Sequence, residues 1–223
     1  MIETRVNLYL VGERDYVYFP TVFDQMIRSI KLHYCKEVIN PLILIKHFKI
    51  HKKITNRSLI RIYDIDKIND TRHKKKIMAE MQCSINDDNL FIGLYEESLV
   101  KVVDRVETIE DKLVGTIKKI DSFSGSCDKI KFDNDYELIQ ACCATNKQLH
   151  LMTLPSSNIR NRIKSIMLMN YTCYNEAKTC EAKLNISNLE IKENFNHIFT
   201  HNFLEIDLTG QSVNFHLYYS IKK

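Results

Sequence analysis

Residues 19–35 read FPTVFDQMIRSIKLHYC, and the fold turns on this stretch. Val22, Phe23, Met26, Ile27, Ile30 and Tyr34 recur at steps of three and four, which puts them on one face of an α-helix. Pro20 suits a first turn, and Thr21 with Asp24 three residues on has capping-box spacing. Asn40-Pro41 stops the helix and starts extended chain. A strand is expected before it, at residues 5–11. Four more follow, at 42–50, 58–65, 77–85 and 90–95. The last two form a hairpin across Asn86-Asp87-Asp88-Asn89.

The rest of the chain reads as a second round of the same order. Residues 96–110 are charged and weakly periodic, with Leu99, Val102, Val103 and Val106 spaced for a short connecting helix. Residues 112–120 read as strand and 122–129, SFSGSCDK, as loop by composition. A second long helix is expected over 135–149. Leu138, Ile139, Cys142, Cys143 and Asn146 share its face, Asn134 and Glu137 form a capping-box pair, and Asp133 and Asp135 sit near its positive end. Residues 152–162, with Pro155, read as loop. Strands return at 164–174, 181–191, 197–208 and 212–221. No residue-level identity links the two rounds, so the repeat is one of pattern.

Composition fits a globular chain. The 223 residues are 44% hydrophobic and 27% charged, enough for one large or two small cores. Five glycines and three prolines argue against linkers. A net charge of +4 is too mild and too scattered to point to nucleic acid. Seven cysteines, an odd number without framework spacing, read as reduced thiols of a cytoplasmic protein. No signal peptide or membrane span is expected.

One helix and a long antiparallel run can bury both apolar faces only if the sheet wraps the helix. The expected class is α+β: two halves, 1–100 and 108–223, each one long helix packed on a curved antiparallel sheet. This element order resembles the hotdog superfamily. The doubling resembles a double hotdog, as in the A-factor-biosynthesis hotdog proteins, and the nearest enzyme types are acyl-thioester dehydratases and thioesterases. The resemblance rests on order and length of elements, not on a signature motif.

The resemblance implies chemistry at an acyl thioester, acyl-CoA or acyl carrier protein, held in the groove between the halves. Hydrolysis or transfer is the expected reaction. The alternative is a non-catalytic binding or assembly module of the same fold. In hotdog enzymes an acidic residue at or near the central helix acts on the thioester, which implies Asp135 or Glu137 here, with Asp133 after them. The same three carboxylates also read simply as caps. Arg14 and Asp15, in the matching connection of the first half (Glu13-Arg14-Asp15-Tyr16), and Asn134 are the expected substrate-binding residues, with a solvated turn as the plain alternative for Arg14 and Asp15. The superfamily's dehydratases place a His in the loop before the helix. None occurs here between residues 1 and 32 or between 74 and 149, which argues against dehydration.

Other motifs are weaker. His47 and His51, and His197 and His201, are four apart, but no Cys or carboxylate stands at ligand spacing, so no metal site is expected. Cys142 and Cys143 read as buried thiols. No phosphate-cradling glycine loop or nucleophile elbow is present, so no cofactor is expected. Lys46, Lys49, Lys52 and Lys53, with the cluster from Arg72 to Lys76, read as a solvated strand face and charged loop, as a dock for an acidic carrier protein or a coenzyme A phosphate, or as a nucleic-acid contact. The expected state is monomer or homodimer.

Overall fold

The computed structural model describes residues 1–34, 43–65, 77–85, 88–154, 160–169, 171–172, 180–195, 197–208 and 211–222. The chain divides into two compact units. One is Met1–Thr108 with Tyr171–Cys173; the other is Ile109–Asn170 with Tyr174–Lys223. The fold is α+β in both. No helix among the described residues is long and apolar enough to cross a membrane.

The first unit begins with β1 (Ile2–Arg5) and β2 (Leu10–Val11) and enters α1 at Phe19–Tyr34. Then come β3 (Ile43–Ile50), β4 (Asn56–Asp64), β5 (Ile77–Ile85) and β6 (Asp88–Lys101). Their sheet runs β1-β4-β6-β5-β3, every neighbour antiparallel. The short strand β11 (Tyr171–Thr172) adds to β3. The one parallel pair among the described residues is two residues long and off this sheet. It joins β2 to β7 (Arg105–Val106).

The α1 face is the one read from sequence. Val22, Phe23, Met26 and Ile30 are 0% exposed and Ile27 2%. Phe48 of β3 meets Phe19 and Phe23 edge-on, with centroids 4.8 and 5.5 Å apart. On β5 the core-facing set is as read: Ile77, Ala79, Met81, Cys83 and Ile85 are all buried, and Met78 of the other face is buried as well.

The helix starts earlier than the Thr21 cap implies. The Tyr18 carbonyl already accepts from the N–H groups of Thr21 (3.1 Å) and Val22 (3.3 Å). Thr21 therefore lies inside the first turn, its hydroxyl buried without a partner among the described residues. Asp24 instead takes Arg28 one turn on, at 2.7 Å. Residues 96–101 also differ from expectation. They extend β6 rather than forming a helix, and Leu99 is left 87% exposed.

The second unit holds the short helix α2 (Glu110–Leu113), β8 (Ile117–Asp121), β9 (Ser124–Phe132) and α3 (Asp135–Thr153). After α3 come β10 (Arg160–Met169), β12 (Cys180–Glu193), β13 (His197–Leu208) and β14 (Gln211–Lys222). The sheet runs β10-β14-β13-β12-β9-β8, again antiparallel throughout. The stretch read as a loop at 122–129 is mostly β9. Its Ser and Gly content made it look irregular, yet Gly125 and Cys127 and, past a register shift, Ile130 and Phe132 face the core. The turn before it holds Phe123 at φ 65.

Asn40-Pro41, Asn86 and Asp87, Pro155 and the Arg72–Lys76 cluster lie outside the described residues.

Candidate functional site

The start of α3 is where the expected acidic residues meet. Asn134 is extended (φ −160, ψ 173) and caps the helix, its Oδ1 accepting from the Glu137 N–H at 3.0 Å. Glu137 reaches back, and its Oε2 accepts from the Asp133 N–H at 2.8 Å. These reciprocal bonds are the expected capping pair, shifted by one residue at the return arm. Asp135, the first residue of α3, is 5% exposed. Replacing Asn134 by Ala removes the acceptor for the Glu137 N–H. The melting free energy is expected to fall by about 1 kcal/mol, read by thermal or urea unfolding. A change within error would mean the cap is idle.

Arg14 and Asp15 lie in the other unit, tied to its own backbone and side chains. Arg14 donates to the Val11 carbonyl at 3.2 Å and stacks 4.1 Å over the Tyr18 ring. Asp15 pairs with Lys53 at 2.6 Å. Of the other lysines singled out, Lys46 donates to Asn89 at 2.7 Å. A cavity of about 400 Å³ opens in this unit, lined by Arg5, Asn7, Tyr9, Gln25 and Arg28 among others. None of the expected site residues lines it.

The structure adds a feature that the helix face did not announce, a polar seam between α3 and its sheet. Gln140, Thr145, Asn146 and His150 on α3, and Thr200 and Asn202 on β13, are all at most 2% exposed. Asn188 donates to Asn202 at 2.6 Å, and Asn202 donates on to Asn146 at 2.6 Å. His150 Nδ1 stands 2.5 Å from the Asn146 carbonyl, which can only accept. Nδ1 therefore carries the proton, and Nε2 accepts from the Thr200 hydroxyl at 2.8 Å. Burial pushes the His150 pKa down to about 4, so this imidazole is neutral at neutral pH. Both amide atoms of Gln140 and the Nδ2 of Asn146 have no partner among the described residues.

The seam had a signal in the sequence. Residues 198, 200, 202, 204 and 206 alternate toward the core, and two of them, Thr200 and Asn202, are polar. Polar residues at core positions need polar partners across the interface, and α3 supplies them. His150 escaped because the expected helix ended one residue before it.

The described thiols sit in the two cores, Cys83 in the first unit and Cys127, Cys142 and Cys143 in the second. Cys83, Cys127, Cys142 and Cys143 are all buried. Burial, with Cys127 nearby, pushes the Cys142 thiol far up, away from the reactive thiolate. Among the described residues no group of three or more His, Cys, Asp or Glu could hold a metal ion.

No protein-family model matches the sequence, and no curated protein does. Solved structures do match in shape. The enoyl-isomerase of a trans-acyltransferase polyketide synthase is similar at a TM-score of 0.52 and 9% identity, covering 99% of both chains. An isomerase-inactive variant of GphF DH1 matches at 0.53 and 6%, covering 99% of this chain and 90% of that one. The tesB protein of Mycobacterium avium subs paratuberculosis matches at 0.52 and 6%, covering 96% and 91%. At such identities the likeness is one of fold, and that fold is the hotdog, present twice in this chain as one long helix laid on an antiparallel sheet.

Proposed function

We propose that this chain acts on acyl thioesters, hydrolysing them or transferring their acyl group, with residues 1–100 and 108–223 as its functional halves. The observation that carries the reading is Asp135, a carboxylate buried at the first turn of α3. A carboxylate at the positive end of a helix suits a general base, and in this reading it takes a proton from an attacking water or alcohol. The oxygen so activated adds to the thioester carbonyl carbon. The C–S bond then breaks, and the thiolate leaves and takes up the proton. Glu137 is the second candidate acid or base and Asp133 the third, with Asn134, Arg14 and Asp15 as substrate-binding groups. Structures of the same fold that carry the names enoyl-isomerase and dehydratase support the substrate class. The carrier, coenzyme A or an acyl carrier protein, is acidic, and Lys46, Lys49, Lys52 and Lys53 suit it in charge. The place of action we propose is the cytoplasm.

The test is turnover on a panel of acyl thioesters. Asp135→Asn or Glu137→Gln is expected to cost about a hundredfold in rate while leaving the melting temperature nearly unchanged. The Gln oxygen still accepts the Asp133 N–H, so the cap survives in the second variant. If both variants keep full activity, neither carboxylate is catalytic.

A second reading is a non-catalytic module that binds acyl thioesters. The reciprocal cap favours it, because Glu137 is already engaged by the Asp133 N–H. Wild-type protein that binds the panel but turns none of it over decides for this reading.

A further inference from the structure

Neither histidine pair read at four-residue spacing works as a pair facing a metal along one strand. His47 and His51 both turn to Glu80, at 3.6 and 3.2 Å. His197 stacks with Phe199 at 5.8 Å. His201 turns instead to the neighbouring strand, where its Nε2 lies 2.8 Å from Nδ1 of His216. The register explains the meeting. His201 stands opposite Tyr218 and Phe203 opposite His216, so the two histidines are diagonal neighbours on the sheet face away from α3.

The two rings are held by aromatic neighbours. His201 stacks on Tyr218 with centroids 4.2 Å apart and planes 14° apart. Phe203 flanks His216 at 5.2 Å. Desolvation lowers the pKa of both, and their mutual repulsion lowers that of His201 further. A neutral imidazole offers one lone pair, and that lone pair is what binds a metal. Two neutral rings facing each other share one proton, and one of their nitrogens can then do no more than accept it.

The geometry points to a bidentate bis-imidazole site, made by His201 and His216, for a divalent transition metal. With metal–nitrogen bonds of about 2.05 Å, the two nitrogens stand about 2.9 Å apart at a right angle and about 3.3 Å at the tetrahedral angle. The observed 2.8 Å is nearer the first. When the ring holding the shared proton moves it to its other nitrogen, a small turn of each ring about its Cβ–Cγ bond makes the two lone pairs converge. The right-angle bite suits square-planar Cu²⁺ and Ni²⁺ over Zn²⁺, and Cu²⁺ also leads in intrinsic affinity. Glu190 stands opposite His201 in register, but Lys192 holds it at 2.7 Å. With no third protein ligand among the described residues, water completes the coordination. The inference stands apart from the acyl-thioester reading, since it uses the other face of the sheet.

The test is titration of the whole chain with Cu²⁺, Ni²⁺ and Zn²⁺ by isothermal calorimetry, alongside His201→Gln, His216→Gln and the control His47→Gln. One equivalent of Cu²⁺ should bind, tighter than Ni²⁺ or Zn²⁺. Each of the first two variants should weaken it by about tenfold or more, and the control should leave it unchanged. If either variant fails to fold, the electron paramagnetic resonance spectrum of Cu²⁺ on the wild type decides, because two equatorial imidazole nitrogens are required. No Cu²⁺ binding at micromolar concentrations overturns the site. So does binding that survives both variants or is lost in the control, and so does a spectrum with fewer than two nitrogens.

Discussion

Met26→Asp is expected to leave no cooperative melt. Met26 is 0% exposed in the middle of α1, between Phe23 and Ile30, which are also fully buried. An unpaired carboxylate there costs several kcal/mol, and the lost methionine packing adds about 2 kcal/mol or more. A domain of this size is stable by about 5–15 kcal/mol in total, so the two losses together remove most or all of it. Ile139→Asp, at 1% exposure on α3, makes the same demand of the other unit. Leu32→Asp is the control, since Leu32 is 55% exposed on the far side of α1 and should melt like the wild type. Circular dichroism on heating reads all three. Wild-type-like melting of Met26→Asp would show that the α1 face is wrongly drawn.

The second large effect is an acid loss of stability centred on His150. Its folded pKa is about 4, against about 6.5 in an unfolded chain. Above pH 6.5 the ring is neutral in both states and has no pH-dependent effect. Between pH 6.5 and 4 the unfolded chain takes up a proton that the folded core refuses. Stability therefore falls as pH drops through that window, by about 3 kcal/mol in all. Unfolding free energies measured at pH 7.5, 5.5 and 4.5 should show the wild type losing more than His150→Gln, whose side chain does not titrate. Parallel losses in the two proteins would mean that His150 is not held neutral in the core.

How far the sequence alone carried depends on which forces set each element. The helix α1 was legible because apolar spacing dominates it, α3 because of its Asn134–Glu137 start and the Leu138, Ile139, Cys142 and Cys143 set, and β5 because Ile77, Ala79, Met81, Cys83 and Ile85 recur at steps of two. The loop expected at 122–129 failed on composition, since Ser and Gly in β9 sit where strand pairing, not propensity, decides. The helix expected at 96–110 failed because β6 pairs with β4 up to Lys101, and cross-strand bonds override a weak helical period. At the site, the Asn134–Glu137 cap was readable from spacing of three. The seam was readable only in part: Thr200 and Asn202 at core positions called for polar partners, but that Asn146 and His150 supply them was hidden, because the two elements are far apart in sequence and meet only in the fold. The His201–His216 contact was hidden for the same reason.

The two long helices also differ in what holds them, and temperature will tell them apart. The α1 face is sealed chiefly by Val, Phe, Met and Ile side chains, a mainly apolar contact whose strength fades on cooling. The α3 face is sealed partly by amide and imidazole bonds to β13. Hydration of apolar surface raises the heat capacity of unfolding and that of polar surface lowers it. The first unit should therefore carry the larger heat-capacity change per residue of interface. Its helix is the one that chilling loosens first, while the second is the better anchored in the cold.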